Sequence, residues 1–173
     1  MPVKEILTAA EVGRLNTEFE PKPSEALLEW ALERFGERVA LASSFGAEDV
    51  VLIDILWRIN PKARVFTLET LRLNTETYDV NDRVREKYGI AIEAYYPKLD
   101  AVRQIVEEHG NNLFYKAIEL RKLCCGVRKV EPLERALSTV DAWTTGLRRQ
   151  QGVTRVNVPK VENDTAHHNL VKL

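Results

Sequence analysis

Hydrophobic positions along the chain switch repeatedly between two spacings. "SEALLEWALERFG" (24–36) places apolar residues at helical intervals and stops on Gly36. "RVALASSF" (38–45) is short and apolar and reads as a buried strand. "GAEDVVLIDILWRIN" (46–60) returns to the helical period and is closed by Asn60 and Pro61. "ARVFTLE" (63–69) predicts a second strand. "NTETYDVNDRVREKYG" (74–89) predicts a helix capped by Asn74 or Thr75 and stopped by Gly89. "IAIEAYY" (90–96) is a third strand and "LDAVRQIVEEHG" (99–110) a further helix. The stretch 111–138 is mostly helical, with a break near Gly126. "DAWTTGLRR" (141–149) predicts a fourth strand that runs into a loop. "TRVNVPKV" (154–161) and "HNLVKL" (168–173) are weaker strand candidates.

Strands alternating with helices predict an α/β fold, a mostly parallel twisted sheet covered on both faces. In such sheets ligands gather at the carboxyl ends of the strands. The pattern suits one domain, with an N-terminal helical segment over 1–36 and a core over 38–173. Composition narrows the function classes. The 173 residues carry a net charge of −1, so no global field draws nucleic acid or membrane, and any basic site must be local. No apolar run nears the ~20 residues of a membrane helix. The first residues lack the apolar stretch of a signal peptide. Two cysteines are too few for a disulfide scaffold, which favours a reducing, cytoplasmic setting.

Three loops at predicted strand ends carry candidate chemistry. "SSFGAED" (43–49) offers the hydroxyls of Ser43 and Ser44, then Phe45, then Gly46 and Ala47 for close approach, at a helix start that attracts phosphate. Glu48 and Asp49 also suit the positive end of a plain capped helix. "LETLRLNTETY" (68–78) would border a base. "TTGLRRQQGVTR" (144–155) presents Arg148 and Arg149 just past Gly146, with Arg155 nearby; paired guanidinium forks bind phosphate or sulfate.

The fourth feature is "RKLCCGVRKVEP" (121–132), where both cysteines, Cys124 and Cys125, stand side by side. Arg121, Lys122, Arg128 and Lys129 flank them and would favour thiolates. The pair alone fits several chemistries: iron–sulfur ligation, a zinc site completed by His109, His167 or His168, a vicinal redox pair, or two buried thiols.

Taken in order, "SSFGAEDVVL", "LETLRLNTETY", "CCGVRKVEPLERAL" and "TGLRRQQGVTR" resemble the assimilatory sulfonucleotide reductases, from about residue 38 to residue 173. The resemblance implies a Rossmann-like adenine nucleotide alpha-hydrolase fold. It implies thioredoxin-dependent reduction of adenosine 5′-phosphosulfate, or its 3′-phosphorylated form, to sulfite and AMP. The adjacent cysteines are similar to those of the branch that carries a 4Fe–4S cluster and prefers adenosine 5′-phosphosulfate. On this likeness residues 43–49 cradle the phosphosulfate, and Glu69 and Arg72 lie in the segment against adenine. Cys124 and Cys125 match the first two cluster ligands. Lys129, beside Arg128, matches a lysine that links cluster and sulfate. Arg148 and Arg149 match arginines near the phosphate or sulfate.

The sequence departs from the family pattern at several points. The usual strand-2 motif is Leu-Asp-Thr-Gly-Arg; Glu69 stands for the aspartate and Leu71 for the glycine, where a side chain would crowd adenine. Gln150, Gln151 and Gly152 replace a more acidic loop. The family's second Cys-x-x-Cys pair and its C-terminal nucleophilic cysteine have no counterpart. The chain is therefore expected to be the N-terminal two-thirds of a reductase, unable to complete the reaction alone or to hold a cluster unless two chains form a homo-oligomer around one. The competing reading is a degenerate adenine-nucleotide-binding protein without redox activity. An ATP pyrophosphatase is disfavoured because the first loop is not Ser-Gly-Gly-x-Asp-Ser, and a thiol sensor needs neither the phosphate loop nor the arginines.

Overall fold

The computed structural model describes residues 6–147 and 158–173. The chain opens with α1 (Ala9–Phe19), held by a capping box in which Thr8 and Glu11 satisfy each other's end of the helix. Then follow α2 (Ser24–Phe35), β1 (Val39–Ala42), α3 (Ala47–Ile59), β2 (Arg64–Leu68), α4 (Thr75–Tyr88), β3 (Ile92–Tyr95) and α5 (Leu99–His109). Next come α6 (Ile118–Cys125), a π-turn (Gly126–Val130), α7 (Glu131–Leu137), β4 (Ala142–Thr145), β5 (Glu162–Asp164) and β6 (Leu170–Lys172). The stops read from the sequence are those observed: Gly36 and Gly89 end their helices at φ 54° and 60°, and Asn60 caps α3.

Among the described residues the sheet has the order β3-β2-β1-β4-β6-β5. It is parallel from β3 to β6, and only β5 runs antiparallel, against β6. Alternation along the strands sends Leu41 and Val65 to the face covered by α3 and α4, and Val39 and Ala142 to the part covered by α1 and α2. Ala40, Phe66 and Trp143 point to the opposite face, under α7. A satellite cluster of Ile105, Leu113 and Cys124 joins α5 to α6.

Two expectations change. The segment 154–161 is expected as a strand; its residues 154–157 lie outside the described residues, and 158–161 are irregular. The edge strand is instead β5, polar in sequence and so invisible to a hydrophobic pattern. The break near Gly126 is a widening rather than an interruption: Gly126 keeps helical angles, and the Glu131 N–H donates to the Gly126 carbonyl. Pro132 has no N–H to give the Arg128 carbonyl, so an α register cannot run through this point.

Candidate functional site

Strand order reverses between β1 and β4: β2 and β3 lie on one side of β1, while β4 and β6 lie on the other. The crevice beyond their carboxyl ends is where an open α/β sheet takes its ligand. The loop 43–49 fills one wall. Ser43 is buried; its N–H donates to the Phe66 carbonyl (2.8 Å) and its Oγ accepts from the Phe45 N–H (3.1 Å). Phe45 is left-handed at φ 60° and turns its ring into the core beside α3. Gly46 caps α3 without a side-chain bond, so the first turn begins on bare backbone.

Asp49 does not simply sit at the helix's positive end. It is only 6% exposed, and its Oδ2 accepts from the Ser44 N–H (2.6 Å) and Ser44 Oγ (2.8 Å). Its Oδ1 faces Gly146, where a β-carbon would lie 2.2 Å away. That β-carbon would also lie 3.0 Å from Glu48 Cβ and 3.2 Å from the Asp49 backbone nitrogen. The glycine after β4 therefore packs directly on the first turn of α3, joining the two walls of the crevice. Beside this contact a cavity of about 590 Å³ opens between α2, α3 and the end of β4; Ala47, Glu48, Thr145 and Lys160 are among its lining residues. Ala47 and Glu48 face this cavity, whereas Ser43, Ser44, Phe45, Gly46 and Asp49 do not line it.

The segment after β2 is built on buried polar contacts. The Glu69 carboxylate is buried, and its Oε1 accepts from the Leu71 N–H (2.6 Å) and from Tyr78 Oη on α4 (3.0 Å). Leu71 stands at φ 58°, the left-handed region that favours glycine, with its side chain 45% exposed. The Thr70 carbonyl accepts from Arg128 Nη1 at 2.7 Å. Arg72 reaches Asn112 (2.7 Å) and lies over the Phe114 ring.

Arg128 is therefore the residue of the basic run that the fold turns inward. It is 5% exposed, and its Nε has no hydrogen-bond partner among the described residues. Arg121, Lys122 and Lys129 are exposed. Cys124 is buried against Ile105 and Leu113, and Cys125 is half-buried; both thiols are free. The pair lies on the last turn of α6, next to the π-turn, a helix irregularity often found at functional sites. The histidines stand apart from the thiols: His109 pairs with Glu108, His167 with Asp164, and His168 with Glu134.

Among the described residues no group of three or more Cys, His, Asp or Glu side chains is gathered for a metal. Two thiols are half of the four that an iron–sulfur cluster takes. This donor set alone does not fit one. Arg148, Arg149, Arg155 and the Gln150–Gly152 stretch lie outside the described residues. Sequence reasoning missed Thr70, Tyr78 and Gly146. A carboxylate nine residues before a tyrosine gives no local signal, and Gly146 shows its role only once β4 lies beside α3.

The fold and its switch-point crevice define an open, mostly parallel α/β protein. The chain belongs to the phosphoadenosine phosphosulfate reductase domain family, whose model matches residues 38–173. It is 49% identical over 142 residues to the adenosine 5′-phosphosulfate reductase of Burkholderia cepacia, a match covering 80% of this chain and 57% of that protein. It is 45% identical over 131 residues to the enzyme of the same name from Allochromatium vinosum, covering 76% of this chain and 51% of that one. The crystal structure of phosphoadenylyl-sulfate reductase from Candida auris, a phosphate complex, matches with a TM-score of 0.84. That match covers 98% of this chain and 80% of the other at 23% identity, and it carries the fold alone. The chain spans a little over half the length of these two sequence relatives. No helix among the described residues is long and apolar enough to cross a membrane.

Proposed function

We propose that this chain forms the nucleotide-binding part of a sulfonucleotide reductase and takes adenosine 5′-phosphosulfate at the β1/β4 crevice. The observation that carries the reading is the packing of Gly146 on the Asp49-braced start of α3, which brings the 43–49 loop and the end of β4 together. Backbone N–H groups at the first turn of α3 would receive the phosphosulfate, the N–H and hydroxyl of Ser44 being given to Asp49. The Glu69–Arg72 segment would border adenine. Lys129, with Arg148 and Arg149, would balance the charge of the sulfate.

In the full reaction the sulfate sulfur is reduced to sulfite, AMP leaves, and a thiol reductant of the thioredoxin class supplies two electrons. This chain's contribution is to bind and orient the nucleotide. Cys124 and Cys125 are offered as two ligands of a cluster whose remaining ligands lie elsewhere. A cytoplasmic, sulfate-assimilating role follows from the same reading.

A second reading is favoured by the left-handed Leu71 and by the incomplete donor set: an adenine-nucleotide-binding protein without redox chemistry. One anaerobic sample separates the two. Calorimetric titration with adenosine 5′-phosphosulfate and with AMP tests the pocket, and the visible spectrum and iron content test the cluster. Binding of the phosphosulfate at least as tightly as AMP supports the first reading. Binding of AMP alone supports the second, and binding of neither overturns both.

A further inference from the structure

We infer that Tyr78 is a positioning residue: through Glu69 it holds Leu71 in its left-handed conformation and so fixes the segment after β2 for a nucleobase. This rests on the nucleotide reading above. A leucine at φ 58° is strained, and such a residue persists only where its surroundings hold it. Glu69 supplies the holding contact, a 2.6 Å bond from the Leu71 N–H to its Oε1. That same oxygen accepts from Tyr78 Oη at 3.0 Å, so the tyrosine fixes where the carboxylate sits. The other side of the same peptide unit is held by Arg128, which donates to the Thr70 carbonyl.

The chemistry of each partner fits this role. A buried carboxylate needs donors, and here the two named donors come from the segment itself and from α4. Tyr78 keeps 40% of its surface exposed, so its ring is not required as core. A phenol is protonated at neutral pH in any case, and partial burial, and then the Glu69 carboxylate, raise this one further, so it stays a donor well into alkaline pH. The relay is needed because residue 71 is not glycine. With glycine there the left-handed backbone is adopted freely, and the tyrosine hydroxyl becomes dispensable.

The test is a double-mutant cycle of Tyr78→Phe and Leu71→Gly in the full 173-residue chain, read by denaturation midpoint and by AMP affinity. Tyr78→Phe is expected to weaken AMP binding about tenfold in the parent, the scale of one hydrogen bond to a charged group. In the Leu71→Gly background the same change is expected to weaken it less than about twofold, on the same scale. The midpoint shift from Tyr78→Phe should shrink in parallel. Equal losses in both backgrounds, by either readout, overturn the relay, as does an unchanged affinity in a parent that binds AMP. A parent that binds no AMP overturns the nucleotide reading instead, and the midpoint cycle then decides the relay by itself.

Discussion

At the amino ends of its strands the sheet is tied by ion pairs, and the left-handed residues there, His168 and Asn169, are of kinds that tolerate that backbone; the carboxyl ends of β1 and β2 instead hold a left-handed phenylalanine and leucine and buried polar groups. Arg38, just before β1, grips the buried Asp141, just before β4, through two bonds of 2.5 and 2.6 Å. Arg64 and Glu93 join β2 to β3 through two bonds of 2.7 and 2.9 Å. At the other end, Phe45 and Leu71 each stand three residues beyond a strand in the left-handed region, and Arg128 keeps a buried nitrogen without a partner. One end uses its charges to satisfy each other. The other leaves donors and strain in place, which is where open α/β sheets take ligands. Changes at the first end should therefore alter stability alone, and changes at the second should alter ligand binding as well.

The largest expected effect on stability is at the paired end. Asp141→Ala removes the buried carboxylate of a pair whose guanidinium is 37% exposed, and with it two charge-assisted hydrogen bonds. Discounted for solvent screening at Arg38, the loss should cost about 3 kcal/mol of unfolding free energy. Chemical denaturation checks the loss, and calorimetry on the folded fraction should give unchanged AMP affinity. A variant that loses affinity in proportion to stability would erase the distinction between the two ends.

At the crevice, Gly146→Ala should cost about 2 kcal/mol, since the added carbon must displace a carboxylate already held by Ser44. Unlike Asp141→Ala, it should also weaken AMP binding, about tenfold or more by the free-energy scale of one lost charged contact. Retained affinity in a destabilised Gly146→Ala protein would remove the Gly146–Asp49 contact from the site. Leu71→Gly runs in the opposite direction. Relief of the left-handed backbone, less the extra freedom of glycine in the unfolded chain, should stabilise the protein by about 1 kcal/mol. The midpoint of urea unfolding measures it, and a lower midpoint would mean that the exposed leucine contributes more than its backbone costs.

The two ends also differ in how legible they are in the sequence. Apolar runs and glycine stops gave the alternating strands and helices through β4, and with them a mostly parallel sheet but not its strand order, because hydrophobic period and capping are local. The loops at 43–49 and 68–72 could be placed at strand ends for the same reason. β5 was missed because "END" (162–164) carries no apolar pattern; it is a strand only because β6 lies beside it. The π-turn was read as a break near Gly126, since a glycine inside a helical stretch signals an irregularity but not how the chain continues. Arg128 and Lys129 are adjacent and chemically alike on paper. Only the packed helix decides that Arg128 turns in to Thr70 while Lys129 stays out. Pairings across long separations, such as Arg38 with Asp141, have no local signature.

The smallest expected effect belongs again to the paired end and is read by pH. The hydrogen bonds from Arg64 hold the Glu93 carboxyl below its ordinary value of about 4.5, against the opposing pull of partial burial. A carboxylate whose pKa is depressed on folding adds stability at pH values above the unfolded pKa. That contribution fades as pH falls through the lower, folded value. Glu93 is about a third exposed, so solvent screens the pair and its contribution should be below about 1 kcal/mol at neutral pH. Glu93→Gln should therefore unfold slightly more easily than the parent at pH 7, and the difference should narrow towards zero as the pH drops below about 4.5. Because other carboxylates titrate identically in both proteins, the difference isolates this one. A gap that stays constant into acid would mean that Glu93 acts through its packing rather than its charge, and the amino-end ties would then reduce to Arg38 and Asp141.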